Sequence, residues 1–145
     1  MFERLVRAAK DHLRRFLTER VRGARVLCDR FRSEAEREAR GLKLLREWLS
    51  PEQLAQYDAS GYFDVIGCDT GKRYRICHGT SMNVYELDRA GHALVCWCFV
   101  PNSYLVAGDV MLAQKVALET DERGALAVAN RFAPKETRLN MFMHL

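Results

Sequence analysis

Along residues 1–49 the apolar positions recur at helical spacing, with no proline among them. Phe2, Val6, Ala9, Leu13 and Phe16 form one stripe. Val21, Ala24, Cys28, Phe31, Ala35, Leu42, Leu45 and Leu49 form a second, stepping by threes and fours. That alternation is the heptad rhythm of a helix that lies along another helix. The stripes are out of phase, which predicts a break or bend near Arg22 and Gly23, so the segment reads as one long helix or a helical hairpin. The rhythm is imperfect: Glu38 takes a seam position, and Gly41 costs a helix roughly 1 kcal/mol relative to alanine.

The next boundary is local and sharp. In "LSPEQLAQYDASG" Ser50 is an N-cap, Pro51 suits the first helical position and Gln53 completes a capping box, which predicts a short helix from 51 that stops by Gly61. From Tyr62 the period changes to two. "YFDVIGC", "RYRICH", "NVYELD" and "ALVCWCFV", with turn signals at "DTGK" and "RAGH", read as a four-stranded antiparallel β-meander. In the second strand Tyr74 and Ile76 point one way, and Arg73, Arg75 and Cys77 the other. The last strand is apolar on both faces, which predicts helices covering it from both sides.

After Pro101, "DVMLAQKVALE" is a helix with Asp109 as its cap, and Val110, Ala113 and Ala117 share a face. "TDERGALAVANRF" starts again at Thr120, and Gly124 leaves open one helix or two. In the tail, Leu139, Met141, Met143 and Leu145 alternate, a pattern that fits an edge strand as well as a frayed end. The fold class is therefore α+β: a basic helical arm over 1–49, and a core domain over 50–145 with the meander and one or two C-terminal helices packed on the sheet.

Composition narrows the functional classes. A chain of 145 residues, 48% hydrophobic and 29% charged, has material for a packed core and is not disordered as a whole. No run is long and apolar enough for a membrane span or a secretory signal, and Glu3, Asp11 and Glu19 argue against a transit peptide. Five cysteines without scaffold spacing fit a reducing compartment. A cytoplasmic protein, away from membranes, is expected. The charge is uneven: the arm carries fourteen Lys and Arg against eight Asp and Glu, and the rest carries nine against eleven.

Three motifs suggest chemistry. Cys96 and Cys98 resemble a metal or redox pair, but residues i and i+2 of a strand lie roughly 6.7 Å apart, whereas two thiolates on one zinc lie about 3.8 Å apart. Buried thiols are the expectation. "DTGK" echoes the aspartic-protease signature, yet Lys72 and Arg73 would keep a carboxylate pair ionised, and a hairpin turn with Gly71 at positive φ explains the same letters. "CHGTSMN" places Cys77 and His78 on opposite faces of a strand, so neither serves the other as nucleophile or base.

The words "LLREWLSPEQLAQY", "GCDTGKRYRICHG", "CWCFVP" and "AGDVMLAQKVALETDE" give residues 44–132 a resemblance to a group of small bacterial proteins. The resemblance implies a bacterial intracellular protein and brings no activity, ligand or cofactor with it. The expectation is a non-catalytic interaction module without a cofactor, which self-associates or docks a protein partner through the arm. Phe31 and Leu45 on the apolar stripe, and Arg30, Arg37 and Arg40 on the polar face, are its contact residues. The alternative is nucleic-acid binding by the same arginines, and a cysteine-based metal site or a hydrolase stands third.

Overall fold

The structure is a computed structural model and describes residues 2–134. The alternating tail residues Leu139, Met141, Met143 and Leu145 lie outside them. The elements run α1 (Phe2–Trp48), α2 (Pro51–Ser60), β1 (Tyr62–Ile66), β2 (Arg73–Cys77), β3 (Val84–Leu87), β4 (Ala93–Cys98), α3 (Ala107–Thr120), α4 (Glu122–Val128) and β5 (Asn130–Phe132). The chain divides into two compact units, Met1–Arg37 and Glu38–Leu145. The first, where described, is helix throughout. Everything else in this subsection concerns the second.

Local signals place α2 where its capping predicts. The Ser50 hydroxyl accepts the Gln53 N–H, the Gln53 side chain accepts the Ser50 N–H in return, and Gly61 ends the helix at φ 71°. The sheet is antiparallel in the order β1-β2-β3-β4-β5, so the meander has five strands rather than four. The fifth, β5, pairs Asn130, Arg131 and Phe132 with Cys98, Trp97 and Cys96. A three-residue strand is too short to show a period, which is why "ANRF" reads in sequence as the end of a helix.

One face of the sheet carries the core. Phe63, Val65, Tyr74, Ile76 and Val84 pack with Leu45 and Leu49 of α1, Met111 and Leu118 of α3 and Ala125 of α4. The other face gathers Cys77, Tyr85, Leu87 and Cys96, with no helical residue in that cluster among the described residues. The expectation of helices on both sides of β4 is thereby corrected. Of its outward apolar positions, Cys96 is small and is covered by Tyr85 and Leu87, while Leu94 is left exposed.

Two irregularities of the heptad have a common cause. Gly41 lies where α1 crosses the start of α3: a Cβ on Gly108 would stand 2.1 Å from the Gly41 carbonyl carbon, and one on Gly41 would stand 2.6 Å from Val106 Cγ2. Only two glycines let the backbones approach so closely. Glu38, one turn earlier, accepts the Ala107 N–H at 3.4 Å. This supplies an acceptor at a helix start whose N-cap, Val106, has no side-chain hydrogen bond of its own. Asp109 is therefore not the cap of α3 but lies inside its first turn. The cap of α4 is Asp121, one residue after Thr120, and it accepts the Gly124 N–H at 3.1 Å.

Candidate interaction surface

The first unit contains no break at Arg22 and Gly23; α1 runs through both. A Cβ at Gly23 would meet nothing within 4 Å, so the glycine marks neither a hinge nor a close approach. The phase change carries no structural penalty because the apolar side chains on either side of it, Leu13 and Phe16 before and Val21 to Ala35 after, are exposed, and an exposed stripe has no neighbour to stay in step with.

Leu17, Val21, Leu27 and Phe31 are all exposed, Phe31 most at 68%. Written as a heptad abcdefg, Val21, Cys28 and Ala35 take a, and Leu17, Ala24 and Phe31 take d. Leu17 extends the stripe by one step of four before Val21, a signal already present in the spacing. Leu27 sits beside the seam at g, where a search for a and d positions passes over it. Arg30 and Arg37 take c and Arg40 takes f, all exposed and turned away from the stripe. Arg20 stands over the Phe16 ring at 5.1 Å, a contact that shields part of the earlier stripe.

Leu45 does not belong to this surface. It is fully buried in the core with Phe63, Tyr74 and Ile76. The same stripe thus serves two ends: Leu42, Leu45 and Leu49 pack on the folded domain, while the positions from Leu17 to Ala35 face water. The periodicity of the two parts is identical, so spacing alone does not separate them.

The other candidates resolve into structure. Gly71 takes φ 69° as the turn reading requires, but the turn has a partner that sequence does not disclose. The Glu122 carboxylate accepts the Asp69 and Thr70 N–H groups at 2.8 Å each and the Tyr74 hydroxyl at 2.6 Å, together with the Thr70 hydroxyl. Burial pushes this carboxyl upward, and those hydrogen bonds outweigh it, holding Glu122 below the ordinary carboxylate range. Burial and the bond to Glu122 push the Tyr74 phenol up. Asp69 accepts the Arg123 N–H at 3.0 Å and so tethers the start of α4.

His78 Nδ1 lies 2.9 Å from the Tyr57 hydroxyl, on α2 rather than beside Cys77. Cys96 and Cys98 are buried on a regularly paired strand whose one register shift lies at Glu86 and Leu87, away from them. Among the described residues no group of three or more His, Cys, Asp or Glu stands close enough to hold a metal ion, and no helix is long and apolar enough to cross a membrane. A groove of about 560 Å³ runs between the irregular segment after β4 and the helices α3 and α4, lined by Phe99, Val100, Leu105, Ala113, Ala117 and Val128. Compared with protein-family models, curated proteins and solved structures, the chain matches none.

Proposed function

We propose that this protein is a non-catalytic interaction module that self-associates through the apolar stripe of its N-terminal helix, from Leu17 to Ala35. The observation that supports this reading is the unbroken heptad row of exposed apolar side chains there. Single exposed apolar residues are ordinary on a protein surface, whereas a contiguous row is the mark of an interaction site. Each Leu, Val or Phe removed from water contributes roughly 1.5–3 kcal/mol, so several in one seam offset the cost of ordering two chains.

Sedimentation equilibrium on the full chain over a range of concentrations tests the reading. The expected mass exceeds the 16.7 kDa of one chain, grows with concentration and changes little with salt. Phe31→Glu, which places charge in the seam, returns it to one chain. A wild-type protein that stays monomeric throughout overturns the reading. The exposed Arg30, Arg37 and Arg40 support nucleic-acid binding as the competing function. A monomer that binds duplex DNA with a steep salt dependence, weakened by replacing those three arginines, would put that function in its place.

A further inference from the structure

Resting on the self-association just proposed, the pattern of the helix specifies how two copies meet. We infer that the occupant of the stripe is the same stripe of a second copy, running antiparallel, with Ala24 of each chain level with Cys28 of the other.

Side-chain volume points to this register. Side by side and parallel, equal positions would meet: Phe31 on Phe31, Ala24 on Ala24, Ala35 on Ala35. The layers would then alternate between too thick and too thin for one helix separation, leaving either voids or overlap. Antiparallel, with Ala24 opposite Cys28, the other layers become Val21 opposite Phe31 and Leu17 opposite Ala35. Phe31 then meets the smaller Val21 instead of a second Phe31, and Ala35 meets Leu17 instead of a second Ala35, so the layers differ less in thickness than in the parallel pair.

Charge beside the seam points the same way. The g positions are Arg20, Leu27 and Glu34, and the e positions are Thr18, Arg25 and Arg32, all exposed. In a parallel pair, g meets e of the other chain, which brings Arg20 to Arg25 and Leu27 to Arg32. In an antiparallel pair, g meets g and e meets e. Leu27 then packs on its own copy at the two-fold axis, flanked on each side by Arg20 with Glu34. The cost is one facing pair of Arg25 side chains and the placement of Thr18 opposite Arg32. Two attractive pairs, one apolar contact and a single repulsive pair replace two repulsive pairs and two mismatches.

Thiol cross-linking separates the arrangements. Two chains are prepared, both carrying Cys68→Ser to remove the other exposed thiol among the described residues. One keeps Cys28; the other carries Ala24→Cys with Cys28→Ala. In the antiparallel register, the thiol at 28 of one copy is displaced from that of the other by four residues, about 6 Å along the axis. Added to the distance between helices, this exceeds the Cα separation of about 7 Å that a disulfide spans.

Neither chain alone should therefore give a covalent dimer on mild oxidation. The mixture should give one, joined between positions 24 and 28, as mass spectrometry of its peptides will read. Covalent dimers from each chain alone, and none specific to the mixture, indicate the parallel pair and overturn the inference. A sedimenting dimer that cross-links in no combination overturns it too while leaving self-association standing. A monomer overturns both.

Discussion

Thr70 reaches Glu122 twice, by its backbone N–H at 2.8 Å and by its hydroxyl, although the two residues are 52 positions apart. The turn "DTGK" is therefore a cradle for a buried carboxylate contributed by the first turn of α4. Gly67 makes the space: a Cβ there would stand 2.3 Å from the Glu122 carboxyl carbon. With Asp69 accepting the Arg123 N–H in return, the β1–β2 turn and the first turn of α4 are joined by hydrogen bonds in both directions. This contact stands where a catalytic aspartate was one reading of the motif.

Glu122→Gln is expected to destabilise the fold by about 2–4 kcal/mol, since the amide retains one acceptor and turns an NH₂ group toward donors that need an acceptor. The effect depends on pH with a definite sign. A carboxyl whose folded pKa lies below its unfolded value contributes stability above the unfolded value, about 4.3 for glutamate. That stability is lost as pH falls through the lower, folded value. Urea melts of wild type and variant should therefore differ most near neutral pH and converge in acid. A constant difference down to the lowest pH at which both fold would show that the ionised carboxylate is not the source.

Two glycines of the same helix should respond to alanine in opposite ways. Gly23 has open space and should gain about 1 kcal/mol of helix stability on conversion to alanine, read as a higher helical signal in circular dichroism. Gly41 meets Val106 and the α3 backbone, so Gly41→Ala should destabilise the folded domain by about 1–3 kcal/mol or more despite its better helix propensity. Equal effects of the two substitutions would mean that α1 and α3 do not cross at Gly41.

Leu45 and Phe31 occupy the same heptad position, d, two turns of the pattern apart, and should behave differently. Leu45→Ala should cost about 2–5 kcal/mol of core stability, measured by thermal or urea unfolding at a concentration where association is saturated. Phe31→Ala should leave the stability of the folded domain within about 0.5 kcal/mol and act instead on the concentration dependence of mass. A large loss of domain stability from Phe31→Ala would place that ring in the folded core.

What could be read from sequence was governed by neighbours in the chain. The capping box at Ser50 and Gln53, the glycine at 61 and the alternation of Tyr74 and Ile76 against Arg73 and Arg75 are short-range patterns, and the structure keeps them. The α+β class follows from those elements. Distant contacts decided the rest. Glu38 and Gly41 are flaws in a heptad until α3 arrives with an uncapped start and a glycine of its own, and Asp-Thr-Gly is an ordinary turn until Glu122 enters it. The three residues of β5 acquire a strand's identity only from the edge of β4 they pair with. The stripe of α1 carries the clearest lesson, because Leu45 and Phe31 obey one periodicity. Spacing sets which face of a helix is apolar, but whether that face is covered depends on what the rest of the chain brings against it.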